Sequence, residues 1–287
     1  MDGQQFLLWV MQTGLHRIVW TSDLDWTIVD NTRPDGAPAP AGTVESIRRL
    51  DEASAGFYLN TGRDIKSVDI ILPGADVKVS AEYNNMTRFD PPQTVSHSTV
   101  PQWNLIDTEL DAITATWPGA ILRKKDFMRT LNFSKAPGLQ RPDVRDAVRR
   151  EMDVLLEKIY RATGQSIANI DGGSVFDLTP AGRDKDTGQA QIFEHAERGY
   201  RMKCALEGTA PEPLVMVYFG DSPGDLPAAR RVQAHGGKFV SVGSDPRVTS
   251  IADFRLENVA ACRAVMAAAP PASGIIASLR NRPPSCG

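Results

Sequence analysis

The chain is poor in cysteine: three in 287 residues, Cys204, Cys262 and Cys286. Their odd number and wide spacing exclude a disulfide framework and read as isolated thiols of a reducing compartment. A surplus of basic charge is also missing, with 32 Lys and Arg against 35 Asp and Glu and a formal charge of -3. The short basic clusters (Arg48-Arg49, Arg123-Lys124-Lys125, Arg149-Arg150) cannot track a polyanion, so no nucleic-acid partner is expected. Long apolar runs are absent. The stretch Phe6 to Met11 is far too short to span a bilayer. It follows Asp2 rather than a basic segment, which makes a poor signal peptide. No membrane partner is expected, and a cytoplasmic monomer or weak homodimer is. With 41% hydrophobic and 23% charged residues, the composition is that of a globular protein.

What is present is an alternation of strand and helix patterns. Arg17 to Ser22 is an apolar strand ending at Asp23-Leu24-Asp25, followed by a Pro/Gly-rich loop and a helix with Val44, Ile47 and Leu50 on one face. Phe57 to Asn60 reads as a second strand, Asp64 to Leu72 as a helix stopped by Pro73-Gly74, and Val77 to Ala81 as a third strand. Such alternation predicts an α/β fold with a parallel sheet. Residues 84–101, with Pro91, Pro92 and Pro101, read as a linker. A helix (105–117), two strands (120–123 and 127–133), a long amphipathic helix carrying Val144, Val148, Met152, Leu155 and Ile159, and two more strands (166–170 and 174–178) follow. Helix-strand-strand, twice over, is a self-contained α+β unit. The α/β pattern then returns with a helix from about Asp186 to Arg198, the apolar strand Leu214 to Phe219, a helix (226–234) and a strand (239–242). The reading is a core of residues 1–83 and 182–269, an inserted unit of 84–181, and a disordered tail of 270–287 holding four prolines.

Four short signals lie where open parallel sheets bind their ligands, past strand ends and at helix starts. Asp23-x-Asp25-x-Thr27 puts two carboxylates after the first strand, where one can attack phosphorus while the other handles a proton. Taken alone, the same triplet also reads as an acidic loop. Asn60-Thr61-Gly62-Arg63 offers a hydroxyl and a Gly-exposed amide, a natural phosphate cradle that is otherwise an ordinary strand-to-helix turn. Lys185 precedes a helix, where a lysine can neutralise a carboxylate and a phosphate, or be a solvated surface charge. Asp221 and Asp225 follow the most apolar strand. Two carboxylates there need a cation, for which Mg²⁺ is the fitting ion, unless they form a structural turn with a helix cap.

Together, the four signals and the insertion between the second and third resemble the haloacid dehalogenase-type (HAD) phosphohydrolase superfamily. The resemblance implies a Rossmann-like core with an inserted α+β cap domain, and a small phosphorylated substrate. It assigns Asp23 as nucleophile, Asp25 as general acid/base, and Thr61, Gly62 and Lys185 to phosphate binding. The Asp23 and Asp221 carboxylates and the Asp25 carbonyl would ligate Mg²⁺, supported by Asp225. The cap looks like that of trehalose-6-phosphate phosphatases, sucrose-phosphate phosphatases and their relatives, implying a phosphorylated sugar or polyol. By the same resemblance, Lys125, Asp177, Arg123 and Asn132 are substrate-binding residues of the cap. Arg123 stands where an acidic residue is expected, Asn132 where a His is, and Trp26 at a position that is usually Gly. Trp26 reads as a bulky side chain packed towards the cap, or as the mark of a distorted loop. A phosphosugar mutase and a non-catalytic sugar-phosphate-binding protein are the alternatives.

Overall fold

The computed structural model describes residues 2–30, 37–172 and 175–280, the last eleven by backbone only. Its elements are, in order, α1 (Gly3–Thr13), β1 (Ile18–Ser22), α2 (Thr43–Ala53), β2 (Phe57–Asn60), α3 (Ile65–Ile71), β3 (Lys78–Ala81), β4 (Met86–Arg88) and β5 (Val95–Ser96). Next come α4 (Asp107–Thr116), β6 (Ile121–Lys124), β7 (Arg129–Asn132), α5 (Pro142–Thr163), β8 (Ile167–Asp171) and β9 (Val175–Pro180). The chain continues with α6 (Lys185–Glu207), β10 (Val215–Gly220), α7 (Leu226–Ala234), β11 (Lys238–Val242), α8 (Pro246–Thr249), β12 (Phe254–Leu256) and α9 (Val259–Arg280).

Eight strands form one sheet in the order β12-β11-β10-β1-β2-β3-β4-β5, parallel from β12 to β3 and antiparallel beyond. Side chains alternate across it as the pleat requires. Ile18, Trp20, Val217 and Phe219 enter one core with residues of α1, α2, α3 and α9. Val19, Met216 and Tyr218 enter a second core with Ile192 and Ala196 of α6 and Ala228 and Val232 of α7. Strands buried on both faces read as continuous apolar runs, which is why β1 and β10 stand out in the sequence. The chain winds from β1 to β3 on one side and from β10 to β12 on the other, so the sheet reverses direction between β1 and β10. Crevices at such reversals, beyond the strands' carboxyl ends, are where these sheets bind ligands.

The remaining strands make an antiparallel sheet in the order β6-β7-β9-β8, inserted between β5 and α6. This is the expected α+β cap. Leu131, Phe133, Phe176 and Leu178 pack one of its faces against Leu110 and Ile113 of α4 and Val148, Met152 and Ile159 of α5. Period-2 alternation then leaves Arg123, Thr130, Asn132 and Asp177 on the opposite face.

Three sequence expectations need correction. Residues 84–101 are not merely a linker, because β4 and β5 extend the large sheet and Pro91-Pro92 sits in the turn joining them. The proline signal marked that turn and hid the two short strands beside it. The helix read as ending near Arg198 runs to Glu207, where Gly208 at φ 68 caps it. The tail assigned to 270–287 is helical through Arg280: α9 opens with an Ala-rich, helix-favouring run and continues past Pro270-Pro271. Residues 281–287 lie outside the described residues.

Candidate active site

β1 and β10 run in parallel with Ser22 opposite Phe219, so Asp23 and Asp221 leave the sheet side by side. The Asp23 amide donates to the Phe219 carbonyl (2.9 Å), which fixes the base of the Asp23-x-Asp25-x-Thr27 loop. Thr27 donates to Asp221 Oδ1 (3.1 Å) and ties that loop to the next strand. Opposite them, Lys185 is the first residue of α6. Asp184 caps this helix in a reciprocal box with Thr187, and Asn60 Nδ2 donates to the Lys185 carbonyl (2.8 Å). So anchored, Lys185 reaches Asp23 Oδ1 at 3.0 Å and Asp225 Oδ1 at 2.6 Å, and its side chain is 4% exposed. A lysine that looks like a surface charge in the sequence is a buried counterion in the structure.

Asp225 is fully buried and saturated. Its Oδ1 accepts from Lys185 and from the Tyr218 hydroxyl (2.6 Å). Its Oδ2 accepts from the amides of Asp221 and Ser222 (both 3.0 Å) and from Ser222 Oγ (3.1 Å). Gly220 makes this possible, since a Cβ there would stand 2.6 Å from the Asp225 carboxylate. With five donors on two oxygens, Asp225 is a support for the site and has no acceptor capacity left for a metal. Burial works to raise its pKa, but Lys185, Tyr218 and the backbone amides outweigh burial and hold it below the usual carboxylate value.

Asp23 and Asp221 are in the opposite state. Burial, partly offset by Lys185 and reinforced by Asp225 and Asp25, pushes Asp23 up to about 7. Burial, then Asp225 and Asp23, pushes Asp221 up to about 8. A carboxylate oxygen from each of Asp23, Asp221 and Asp225 lies within 4.8 Å of the other two. Three carboxylates against one ammonium leave an uncompensated charge of two, the deficit a single divalent cation closes. The hard oxygen donors and the open positions on Asp23 and Asp221 fit Mg²⁺.

Asp25 turns away from this cluster. Arg63 grips it in a two-pronged pair, Nε to Oδ2 and a terminal nitrogen to Oδ1, both at 2.7 Å. The Thr61 hydroxyl accepts the Arg63 amide (3.2 Å) and keeps its own proton as a donor. Gly62 passes beneath the Tyr83 ring, where a Cβ would come within 3.0 Å. Trp26 takes a left-handed conformation, φ 55, which a glycine adopts without strain. The residue is 46% exposed and lines the cleft. The loop nevertheless keeps Asp23 and Asp25 in place around it.

Core and cap enclose a cavity of about 960 Å³ that reaches Asp23, Thr61, Lys185 and Asp221 on one side and Arg123, Lys125, Asn132 and Asp177 on the other. The structure therefore gathers all the sequence-predicted site residues except Asp225, which lies just behind the wall. Lys125 donates to the Gly62 carbonyl across the cleft (2.7 Å). Asp177 accepts from Thr130 (2.5 Å) on its own sheet and from the core's Tyr83 hydroxyl (2.8 Å). Asn132 accepts from Ser134 and shapes a turn in the cap. Sequence reasoning missed Tyr83, Arg63 as the partner of Asp25, and Lys135 and Arg247 on the cavity wall. Arg63 had a signal in its place beside Thr61-Gly62, whereas Tyr83 had none.

Neither a family model nor a curated protein matches the chain. Solved structures do. The C-terminal domain of trehalose-6-phosphate phosphatase from C. albicans superposes with a TM-score of 0.71 at 14% identity, covering 93% of this chain and 96% of that one. A trehalose-6-phosphate phosphatase related protein gives 0.65 at 17% identity, with 92% and 100% covered. A phosphatase of the HAD superfamily from Bacteroides thetaiotaomicron gives 0.52 at 15% identity, with 88% and 94% covered. At these identities the likeness concerns architecture: the chain has the HAD-type fold, core and inserted cap together, in a form similar to the trehalose-6-phosphate phosphatases.

Proposed function

We propose that the protein is a Mg²⁺-dependent phosphomonoester hydrolase acting on a phosphorylated sugar or related polyol through an aspartyl-phosphate at Asp23. One observation carries the reading: Asp23, Lys185 and Asp221 converge at the reversal point of the sheet, inside a cavity roofed by the cap. Asp23, Asp221 and the Asp25 carbonyl would hold the ion, which when bound offsets charge between the carboxylates and a phosphate dianion. The Lys185 ammonium supplies the second positive charge and holds the attacking oxygen of Asp23 in place. Thr61 Oγ and the Gly62 amide bind phosphate oxygens.

In the first half-reaction Asp23 Oδ forms a bond to phosphorus while the bond from phosphorus to the sugar oxygen breaks, and that oxygen takes a proton from Asp25. In the second, a water oxygen attacks the acyl-phosphate, Asp25 takes the water's proton, and phosphate leaves with the Asp23 carboxylate restored. For both transfers Asp25 must leave its two-pronged pair with Arg63 and turn an oxygen towards the site, so that pair is the resting state of the side chain. Substrate entry opens the cap by breaking the bonds from Lys125 to Gly62, Tyr83 to Asp177 and Asn85 to Thr179.

The test is phosphate release from a panel of phospho-sugars, disaccharide phosphates included, with Mg²⁺ and with Asp23→Asn as control. Wild type should release phosphate, and the variant should lose at least about a thousandfold in kcat, as expected when a nucleophile is removed. Equal inertness of both across the panel ends the reading.

A further inference from the structure

Resting on that reading, we infer that Trp26 determines specificity: its indole stacks on the C–H face of a sugar ring, so that the preferred leaving group is a cyclic sugar rather than an open-chain polyol. Position in the chain comes first. Trp26 directly follows Asp25, the group that would protonate the leaving oxygen, so the leaving group is brought to the neighbourhood of residue 26. The turn is pinned on both sides of the indole. Asp25 forms a bridge with Val29, and the Trp26 amide donates to the Val29 carbonyl (2.7 Å). These contacts hold Trp26 at φ 55, which is strained for a bulky residue and free for glycine.

Packing does not account for a tryptophan at this point. Trp26 joins none of the hydrophobic clusters of the described residues. Of the exposed large hydrophobic residues described, Trp26 and Ile121 are the two that line the active-site cavity, one from the core and one from the cap. A large apolar side chain held in a strained conformation and left unpacked in a binding cleft is placed for a ligand. A pyranose fits it. The ring carbons present a flat C–H face that an indole covers, while the hydroxyls at the ring's edge match the polar cap wall of Arg123, Asn132 and Asp177. An aromatic leaving group would cover the indole equally well but offer that wall nothing to hydrogen-bond. An open-chain polyol has no fixed face and must freeze several bonds to make one.

Matched probes test this. Glucose 6-phosphate and glucitol 6-phosphate agree in carbon number, phosphate position and charge and differ in the ring. Trehalose 6-phosphate supplies a second ring-bearing probe, and p-nitrophenyl phosphate an aromatic one. In wild type, kcat/KM for the better ring sugar should exceed that for glucitol 6-phosphate by about tenfold or more. Trp26→Gly, which relieves the strain, should cut that ratio about tenfold, mostly through KM, whereas Trp26→Phe should keep part of it. Damage to the loop itself would lower all probes alike and leave the ratio in place. A wild-type ratio near one, or a ratio unchanged in Trp26→Gly, overturns the inference. Turnover that Asp23→Asn still abolishes would then leave the phosphatase reading standing. A preference for p-nitrophenyl phosphate over both sugars, removed in Trp26→Gly, overturns the choice of a sugar. If no probe is turned over, calorimetric binding in Mg²⁺ decides. Tighter binding of a ring sugar than of glucitol 6-phosphate, lost in Trp26→Gly, supports the inference, and equal binding or none overturns it.

Discussion

Replacing Asp225 by Asn tests whether the site is assembled around a buried charge or merely around a shape. The side chain is fully buried and receives Lys185, Tyr218, two backbone amides and Ser222 Oγ. An amide of the same outline offers one acceptor oxygen and two N–H groups. Pointing its nitrogen at Oδ1's place sets donor against the Lys185 ammonium, and pointing it the other way orphans the amides of Asp221 and Ser222. Either choice leaves a buried charge short of a partner, at a cost of about 3–5 kcal/mol. For a chain of this size each kcal/mol lowers Tm by roughly 2–4 °C, so Asp225→Asn should melt about 6–20 °C below wild type. Tyr218→Phe, which removes one neutral donor, should cost only about 1–2 kcal/mol. Circular-dichroism melts of the three proteins measure this. An Asp225→Asn midpoint within about 2 °C of wild type would show that the five contacts carry little energy, and the account of the site would be wrong.

Two further predictions come from the same cluster. Asp23 and Asp221, raised to about 7 and about 8 from 3.8, hold protons in the folded protein that the unfolded chain has lost. Their contribution to stability is therefore fullest below pH ~4 and is lost as pH rises through 7–8. Stabilisation by Mg²⁺ should accordingly be larger at pH 8.5 than at pH 5.5, because at the lower pH the ion must displace protons. Equal shifts in melting temperature at the two pH values would count against Asp23 and Asp221 as its ligands. Trp26→Gly relieves a left-handed conformation worth about 1–2 kcal/mol and costs about 0.5–1 kcal/mol in chain entropy. Urea unfolding should find the variant as stable as wild type or up to about 1.5 kcal/mol more so, and a loss above about 2 kcal/mol would show that Trp26 packs as a core residue.

The large sheet was legible because burial on both faces writes itself into β1 and β10 as unbroken apolar runs, and because each ends in Asp at the site. Asp23 and Asp221 could thus be placed before their surroundings were known. Lys185 was legible only through its neighbours, since nothing local separates a buried lysine from a solvated one. Tyr83 was not legible at all. It lies in the run Glu82-Tyr83-Asn84, whose φ angles of 48, 55 and 68 are left-handed, yet the run contains no glycine to announce it. Such a conformation persists only when the surroundings enforce it. Here Phe127 and Met128 of the cap pack on Tyr83, and the Phe127 amide donates to Glu82 (3.2 Å). That constraint is tertiary, and no local pattern carries it.

The cap shows the same division between face and partner. Period-2 alternation tells which of its residues look into the cleft, and Arg123, Lys125, Asn132 and Asp177 all line it. It does not tell what they meet there. Lys125 and Asp177, two of the four read as substrate-binding, clasp the cap to the core through Gly62 and Tyr83. A substrate that uses them must first take them from those partners, so their bonds to it are exchanged rather than newly made and yield little net affinity.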